Sequence, residues 1–262
     1  MNAAGVRLEH DGPVATVTLC RPVALNAQTP ETWAALADIG RVLPGQIRLV
    51  IVRGEGTSFS AGLDRALLAG GVVEPGSEDT PQSLVAQLVA AGPDACAARI
   101  EQFQRGFAWL SRPDLISVAA VQGHAIGAGF QLALACDLRV LASDARLAMA
   151  EVTLGLVPDL GGTKRLSELV GYGRALELCV TGRQIDAVEA HAMGLATLVV
   201  APADLAGATD DLAAAVLAAD RDAVAEIKAL LLSAGSRDQR AQSRAEREAQ
   251  TRRLFRLAGL GD

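Results

Sequence analysis

Three short stretches of this 262-residue chain combine glycine, small residues and acids in patterns that could do chemistry. The first is Phe59-Ser60-Ala61-Gly62-Leu63-Asp64, shortly after an apolar run that ends at Arg53. The second runs from Gln122-Gly123-His124-Ala125-Ile126 into Gly127-Ala128-Gly129-Phe130-Gln131, and the third extends from Glu151 through Pro158 and Asp159 to Thr163. In the second stretch the small residues leave backbone uncovered where a helix begins. Amide N–H groups there can point outward, and the helix dipole adds partial positive charge. Fixed donors of that kind suit an oxyanion that develops during a reaction. Gly-rich strand-to-helix turns equally serve close packing. Gly127-Ala128-Gly129 lacks the third glycine of a dinucleotide fingerprint, and no Gly-Lys-Ser/Thr forms a phosphate loop. His124 reads as a loop or packing residue, His10 and His191 as surface residues, and local spacing suggests no Ser-His-Asp arrangement.

The elements that must position these stretches are those of an α/β chain. Val14 to Cys20 alternates and is β-branched, which predicts a strand, with Val6-Arg7-Leu8 as its hairpin partner across Asp11-Gly12. Thr29-Pro30 starts a helix that runs through Trp33, Leu36 and Ile39 and ends near Pro44-Gly45. Leu49 to Val52, Ile116 to Val121 and Leu138 to Ala142 are continuous apolar runs, the signature of strands buried on both faces. A short helix is expected over Gly127 to Cys136. Another is capped by Asp186-Ala187-Val188-Glu189 and stops at Gly194. Residues 70 to 93 read as a surface excursion, and after Pro202 the chain turns Ala-rich and helical.

Half the residues are hydrophobic and 21% are charged, so a large core is available without disulfide or structural metal. The net charge of -6 speaks against a nucleic-acid partner. Cys20, Cys96, Cys136 and Cys179 are widely separated and read as reduced thiols of a cytoplasmic protein. Met1 to His10 lacks the order of a signal peptide, and no uncharged apolar run reaches membrane-spanning length.

Together the three stretches resemble the enoyl-CoA hydratase/isomerase family, the crotonase superfamily. The resemblance begins at Arg21-Pro22-Val23-Ala24-Leu25-Asn26-Ala27, which is similar to that family's first CoA-contacting loop. It continues through Ser60 to Asp64, Gly123 to Asp137, Pro158 to Arg165, Thr181-Gly182-Arg183 and Ala190 to Leu195, covering nearly the whole chain in order. It implies an α/β fold, a crotonase-like spiral of ββα turns with a C-terminal helical segment. Residues 1–200 would form the core for acyl-CoA binding and catalysis, and residues 201–262 a helical trimerisation segment. The family assembles as homotrimers or dimers of trimers and binds acyl-CoA thioesters without metal or redox cofactor, coenzyme A arriving as part of the substrate. By the same resemblance the backbone amides of Ala61 and Ala128 form an oxyanion hole for the thioester carbonyl. The family usually has Gly where Ala128 stands, and Ala keeps the N–H wherever the backbone angles suit a non-Gly residue. Val23, Ala24, Leu25, Ser60, Gly62, Leu63, Asp64, Gly127, Gln131 and Pro158 would contact substrate, and residues 65 to 110 would line the acyl pocket.

Hydratases of the family hold one water between two glutamates. Here the first position is Gln131 and only the second, Glu151, is retained. Gln can orient a group and cannot accept a proton at neutral pH. Asp159, after Val157-Pro158, resembles the acid of isomerase branches, including dienoyl-CoA and ring-oxepin isomerases; otherwise it caps the helix that follows Gly161. The expectation is therefore an acyl-CoA double-bond isomerase with Glu151 and Asp159 as catalytic groups. The alternatives are a hydratase using Glu151 with Gln131 as partner, and a scaffold that binds acyl-CoA without chemistry. The seven arginines between Arg237 and Arg256 read as a solvated helix face, with contact to CoA phosphates as the second possibility.

Overall fold

The computed structural model of the protein describes residues 4–69 and 83–260. Strands β1 (Val6–Asp11) and β2 (Val14–Leu19) form the expected hairpin, longer on its first arm than the sequence reading, with Gly12 in the left-handed region at the turn. Helix α1 (Pro30–Val42) starts where expected: Thr29 accepts from the Thr32 amide while the Thr32 hydroxyl accepts from the Thr29 amide. Strand β3 (Leu49–Gly54) follows, then the short α2 (Ala66–Ala69). The sequence reading made residues 70–93 a surface excursion. Residues 70–82 lie outside the described residues, whereas 83–93 hold a helix: Ser83 caps α3 (Leu84–Ala90), and α4 (Pro93–Ala108) begins at Pro93.

Next come β4 (Ile116–Val121), β5 (His124–Ile126) and α5 (Ala128–Ala135), then β6 (Leu138–Ala142), β7 (Arg146–Ala148) and α6 (Gly162–Val170). Each trio is one ββα turn. Its first strand joins a six-stranded sheet ordered β1-β2-β3-β4-β6-β9, and its second joins a three-stranded sheet ordered β5-β7-β8. Helix α7 (Tyr172–Thr181) precedes β8 (Ile185–Asp186), α8 (Ala187–Ala192) and β9 (Leu198–Val200). Asp186 caps α8 by accepting from the Glu189 amide, and Gly194 sits in the left-handed region beyond it, as the sequence suggested. Helices α9 (Leu205–Ala218), α10 (Arg221–Ala234) and α11 (Gln239–Leu257) complete the chain.

All strand pairings in the large sheet are parallel except β1 with β2. Alternate residues therefore serve two cores. Val50, Val52, Ala119, Val121 and Leu141 face one cluster with Trp33, Phe103, Phe107 and Phe130. Leu49, Ile51, Val118, Ala120, Val140 and Ala142 face the other, covered by Leu205 and Ala213 of α9. Residue 200 thus marks a change of secondary structure, because α9 belongs to the sheet's packing.

Helix α10 is fastened by a buried charge. Lys228 Nζ donates to Asp137 Oδ2 at 2.7 Å and to the Leu115 carbonyl at 2.8 Å, and the same Asp137 oxygen accepts from the Ser117 amide and hydroxyl. Removing one partner of such a pair leaves an uncompensated charge in a dry site. Lys228→Met, which keeps the aliphatic stem, should therefore lower the unfolding free energy by about 3 kcal/mol in urea denaturation; an unchanged midpoint would contradict this role.

Candidate active site

The three stretches converge at the ends of β3, β5 and β7. Gly127 adopts a positive φ of 52° between β5 and α5, and its amide donates to the Ala148 carbonyl at the end of β7. A Cβ at Gly127 would lie 3.2 Å from Glu151 Oε1, so the turn and the carboxylate are in direct apposition. Ala128 opens α5 and is absent from the positive-φ residues, so its methyl costs no backbone strain. Gly62, φ 85°, packs against this turn: a Cβ there would meet the Ile126 carbonyl at 2.4 Å and the Ala128 nitrogen at 3.4 Å. No side chain fits, which brings the Gly62–Leu63 backbone beside the Ala128 amide.

One expected donor is displaced. The Ala61 amide donates to the Leu25 carbonyl at 2.8 Å and so cannot face a ligand. The Gly62 amide donates to Ser60 Oγ at 3.2 Å and the Asp64 amide to the Gln28 carbonyl at 2.8 Å. Between Ser60 and Asp64, only the Leu63 amide has no partner among the described residues, and it adjoins Gly62. Two unclaimed N–H groups, those of Leu63 and Ala128, thus stand on facing backbones.

The loop over residues 21–27 is held rather than free. Leu25 and Asn26 both have positive φ, and the Asn26 side chain makes that conformation tenable. Its Oδ1 accepts from the Arg21 amide, and its Nδ2 donates to the Glu55 and Ser58 carbonyls at 2.8 Å each. Arg21 donates to Asp64 Oδ2 at 2.9 Å and to the Ala27 carbonyl at 2.7 Å, tying this loop to the first stretch. Val23 is fully exposed on the turn, with Ala24 half-buried and Leu25 exposed beside it.

The acids sit deeper. Gln131, buried on α5, donates from Nε2 to Glu151 Oε1 at 2.7 Å. Its Oε1 accepts from the Leu160 and Gly162 amides at 2.9 and 3.1 Å. Glu151 Oε2 is buried with no hydrogen-bond partner among the described residues. Burial, and secondarily the charge of Asp159, raises the Glu151 pKa above the ordinary carboxylate range, against the hydrogen bonds from its own backbone and Gln131. Burial likewise raises that of Asp159. Asp159 does not cap α6: Gly161 is the N-cap and no side chain bonds there. Its carbonyl accepts from Gln104 Nε2 at 2.7 Å, and Pro158 beside it is half-buried. A cavity of about 660 Å³ adjoins Gln131 and Leu160, with Gln104 and Phe107 of α4 on its wall.

His124 opens β5 rather than lying in a loop, and is exposed with its ring 3.3 Å from Ser58 Oγ. Of the C-terminal arginines, Arg252 pairs with Glu226, Arg253 with Asp220 and Asp222, and Arg256 with Asp222, all on or beside α10. Those three are engaged within the chain. Among the described residues, no three His, Cys, Asp or Glu side chains gather as a metal site would require. Sequence reasoning missed the Leu63 amide, Gln28, and the Leu160 and Gly162 amides. The glycine before Leu63 was the available signal for the first.

A family model described as enoyl-CoA hydratase/isomerase matches residues 9–256. A short-chain-enoyl-CoA hydratase from Clostridium acetobutylicum is 34% identical over 216 residues, 81% of this chain and 75% of that protein. Among solved structures, a Thermobifida fusca YX protein in complex with CoA is 48% identical with a TM-score of 0.88, covering 98% of this chain and 95% of that one. The same organism's complex with acetoacetyl-CoA gives 50% identity, a TM-score of 0.89, and 98% and 96% coverage. An enoyl-CoA hydratase from Polaromonas sp. JS666 is 30% identical with a TM-score of 0.83, over 97% of this chain and 93% of that one.

The influence of the Asp159 charge on Glu151 is directly testable. A like charge disfavours ionisation of its neighbour. Asp159→Asn should therefore shift the Glu151 titration midpoint to lower pH, followed by carbon-13 NMR of labelled glutamate; an unmoved midpoint would mean the acids do not sense each other.

Proposed function

The chain belongs to the enoyl-CoA hydratase/isomerase family, and from that premise we propose that this acyl-CoA enzyme shifts a double bond through a thioester enolate. The Leu63 and Ala128 amides receive the thioester oxygen, taking the role that the sequence reading gave to Ala61 and Ala128. Donors placed where negative charge develops acidify the carbon beside the carbonyl. Glu151 Oε2 removes that proton. Burial raises its pKa, which makes its ionised form a stronger base than a solvated carboxylate. The proton is returned at a more distant carbon, either by Glu151 itself or by Asp159 in its neutral acid form, in which case Asp159 regains a proton from solvent as Glu151 loses its own.

The observation that carries this reading is the state of Gln131. Its carbonyl oxygen is engaged by two backbone amides and one of its N–H bonds by Glu151. It orients Glu151 and neither gives nor takes a proton. Isomerisation only moves a proton between carbons and needs no bound water, whereas a water held between paired acid and base is the usual means of hydration. The CoA and acetoacetyl-CoA complexes of the Thermobifida protein support an acyl-CoA substrate.

A hydratase is the second reading, and the names of the relatives favour it. In that case Glu151 alone would activate water with Gln131 as orienting partner. Absorbance of the conjugated enoyl thioester separates the two. The isomerase reading expects absorbance to rise with a 3-enoyl-CoA and to persist with a trans-2-enoyl-CoA; rapid loss of the 2-enoyl absorbance would establish the hydratase instead. Under either reading Glu151→Gln should lower kcat by about 10³-fold while acyl-CoA binding survives, and a variant that turns over normally would remove Glu151 from the mechanism.

A further inference from the structure

The Leu63 amide is aimed by a buried polar chain that starts well outside the site. Leu63 N–H and Gly62 C=O belong to one planar trans peptide, so they point in opposite directions. The Gly62 carbonyl accepts from the Gln28 amide at 2.7 Å, and the Asp64 amide donates to the Gln28 carbonyl at 2.8 Å. Gln28 therefore grips the chain on both sides of Leu63, and holding the Gly62 oxygen fixes where the Leu63 N–H faces.

Gln28 is itself immobilised through its side chain, which is fully buried. Its Oε1 accepts from the Trp33 indole N–H at 2.8 Å, and its Nε2 donates to Ser60 Oγ at 3.0 Å. Ser60, also fully buried, donates to the Asn26 carbonyl at 2.8 Å and accepts from the Gly62 amide. Its one donor and two acceptor sites are all used. Trp33 is wedged against Phe103, ring centroids 4.8 Å apart, and against Phe107 at 6.4 Å. The chain Trp33–Gln28–Ser60 thus runs from the α1–α4 packing to the backbone of the first stretch. Packing alone does not require it, since four polar side-chain groups in an apolar interior cost more than they return unless all are matched.

We propose that Trp33, Gln28 and Ser60 are positioning residues for the Leu63 amide, setting how strongly the bound thioester carbonyl is polarised. This rests on the oxyanion reading given above. None of the three touches the reacting atoms, so their loss acts through the direction of one N–H, and a small misdirection of a fixed donor costs rate more than binding.

The test uses Trp33→Phe, which keeps an aromatic ring between α1 and α4 while removing the indole N–H, and Ser60→Ala as the second variant. Each should lower kcat about tenfold with KM for the acyl-CoA within about twofold. In a Glu151→Gln background, where chemistry is silent, bound 2,4-hexadienoyl-CoA should absorb at longer wavelength than free thioester, because a polarised carbonyl extends the conjugation. That red shift should shrink in both variants. A red shift undiminished in both would overturn the positioning role and leave the oxyanion hole standing. No red shift with Trp33, Gln28 and Ser60 intact would overturn the oxyanion reading and this inference with it.

Discussion

One hydrogen bond organises the site: the Gln131 amide donating to Glu151 Oε1 at 2.7 Å. It joins α5, which carries Gln131, to the loop after β7, which carries Glu151, and it leaves Glu151 a single unclaimed oxygen. The other end of the same amide collects the Leu160 and Gly162 N–H groups, so the loop bearing Asp159 is tied to the same point. A second carboxylate at position 131 would stand in hydrogen-bond range of Glu151 and force the two to share a proton. An amide there removes that coupling. It holds Glu151 in place without competing for its proton.

The remaining electrostatics follow from burial. Both acids sit where desolvation disfavours charge, and each raised pKa is mainly that effect. For a carboxylate whose folded pKa lies above the unfolded one, ionisation costs stability: the penalty is absent at low pH and present in full above the folded value. The site is thus a place where the fold gives up stability for reactivity. The apolar clusters on both faces of the large sheet offset it elsewhere.

Much of this was legible in the sequence, and the failures have physical reasons. Leu49 to Val52, Ile116 to Val121 and Leu138 to Ala142 are long apolar runs, and each is a central strand. Strands of two or three residues, such as His124–Ile126, Arg146–Ala148 and Ile185–Asp186, are too short for periodicity to register and exist only because they pair with one another. The pairing of position 131 with Glu151 was visible as a departure from the family pattern. The Ala61 amide is engaged within the chain, and sequence does not tell which carbonyl an N–H will meet. Leu25, on a loop far earlier in the chain, supplies it. The capping alternative for Asp159 fails at the start of α6, where Gly161 is the cap and no side chain bonds.

The central claim is that the free oxygen of Glu151 takes a proton from the carbon beside a thioester carbonyl. The most direct measurement is proton NMR of 3-butenoyl-CoA incubated with the protein in deuterium oxide, following the carbon-2 protons in the natural chain and in Glu151→Gln. The account expects those protons to be lost with the natural chain and to persist with the variant. Loss at a similar rate with Glu151→Gln would place the base elsewhere and contradict the account.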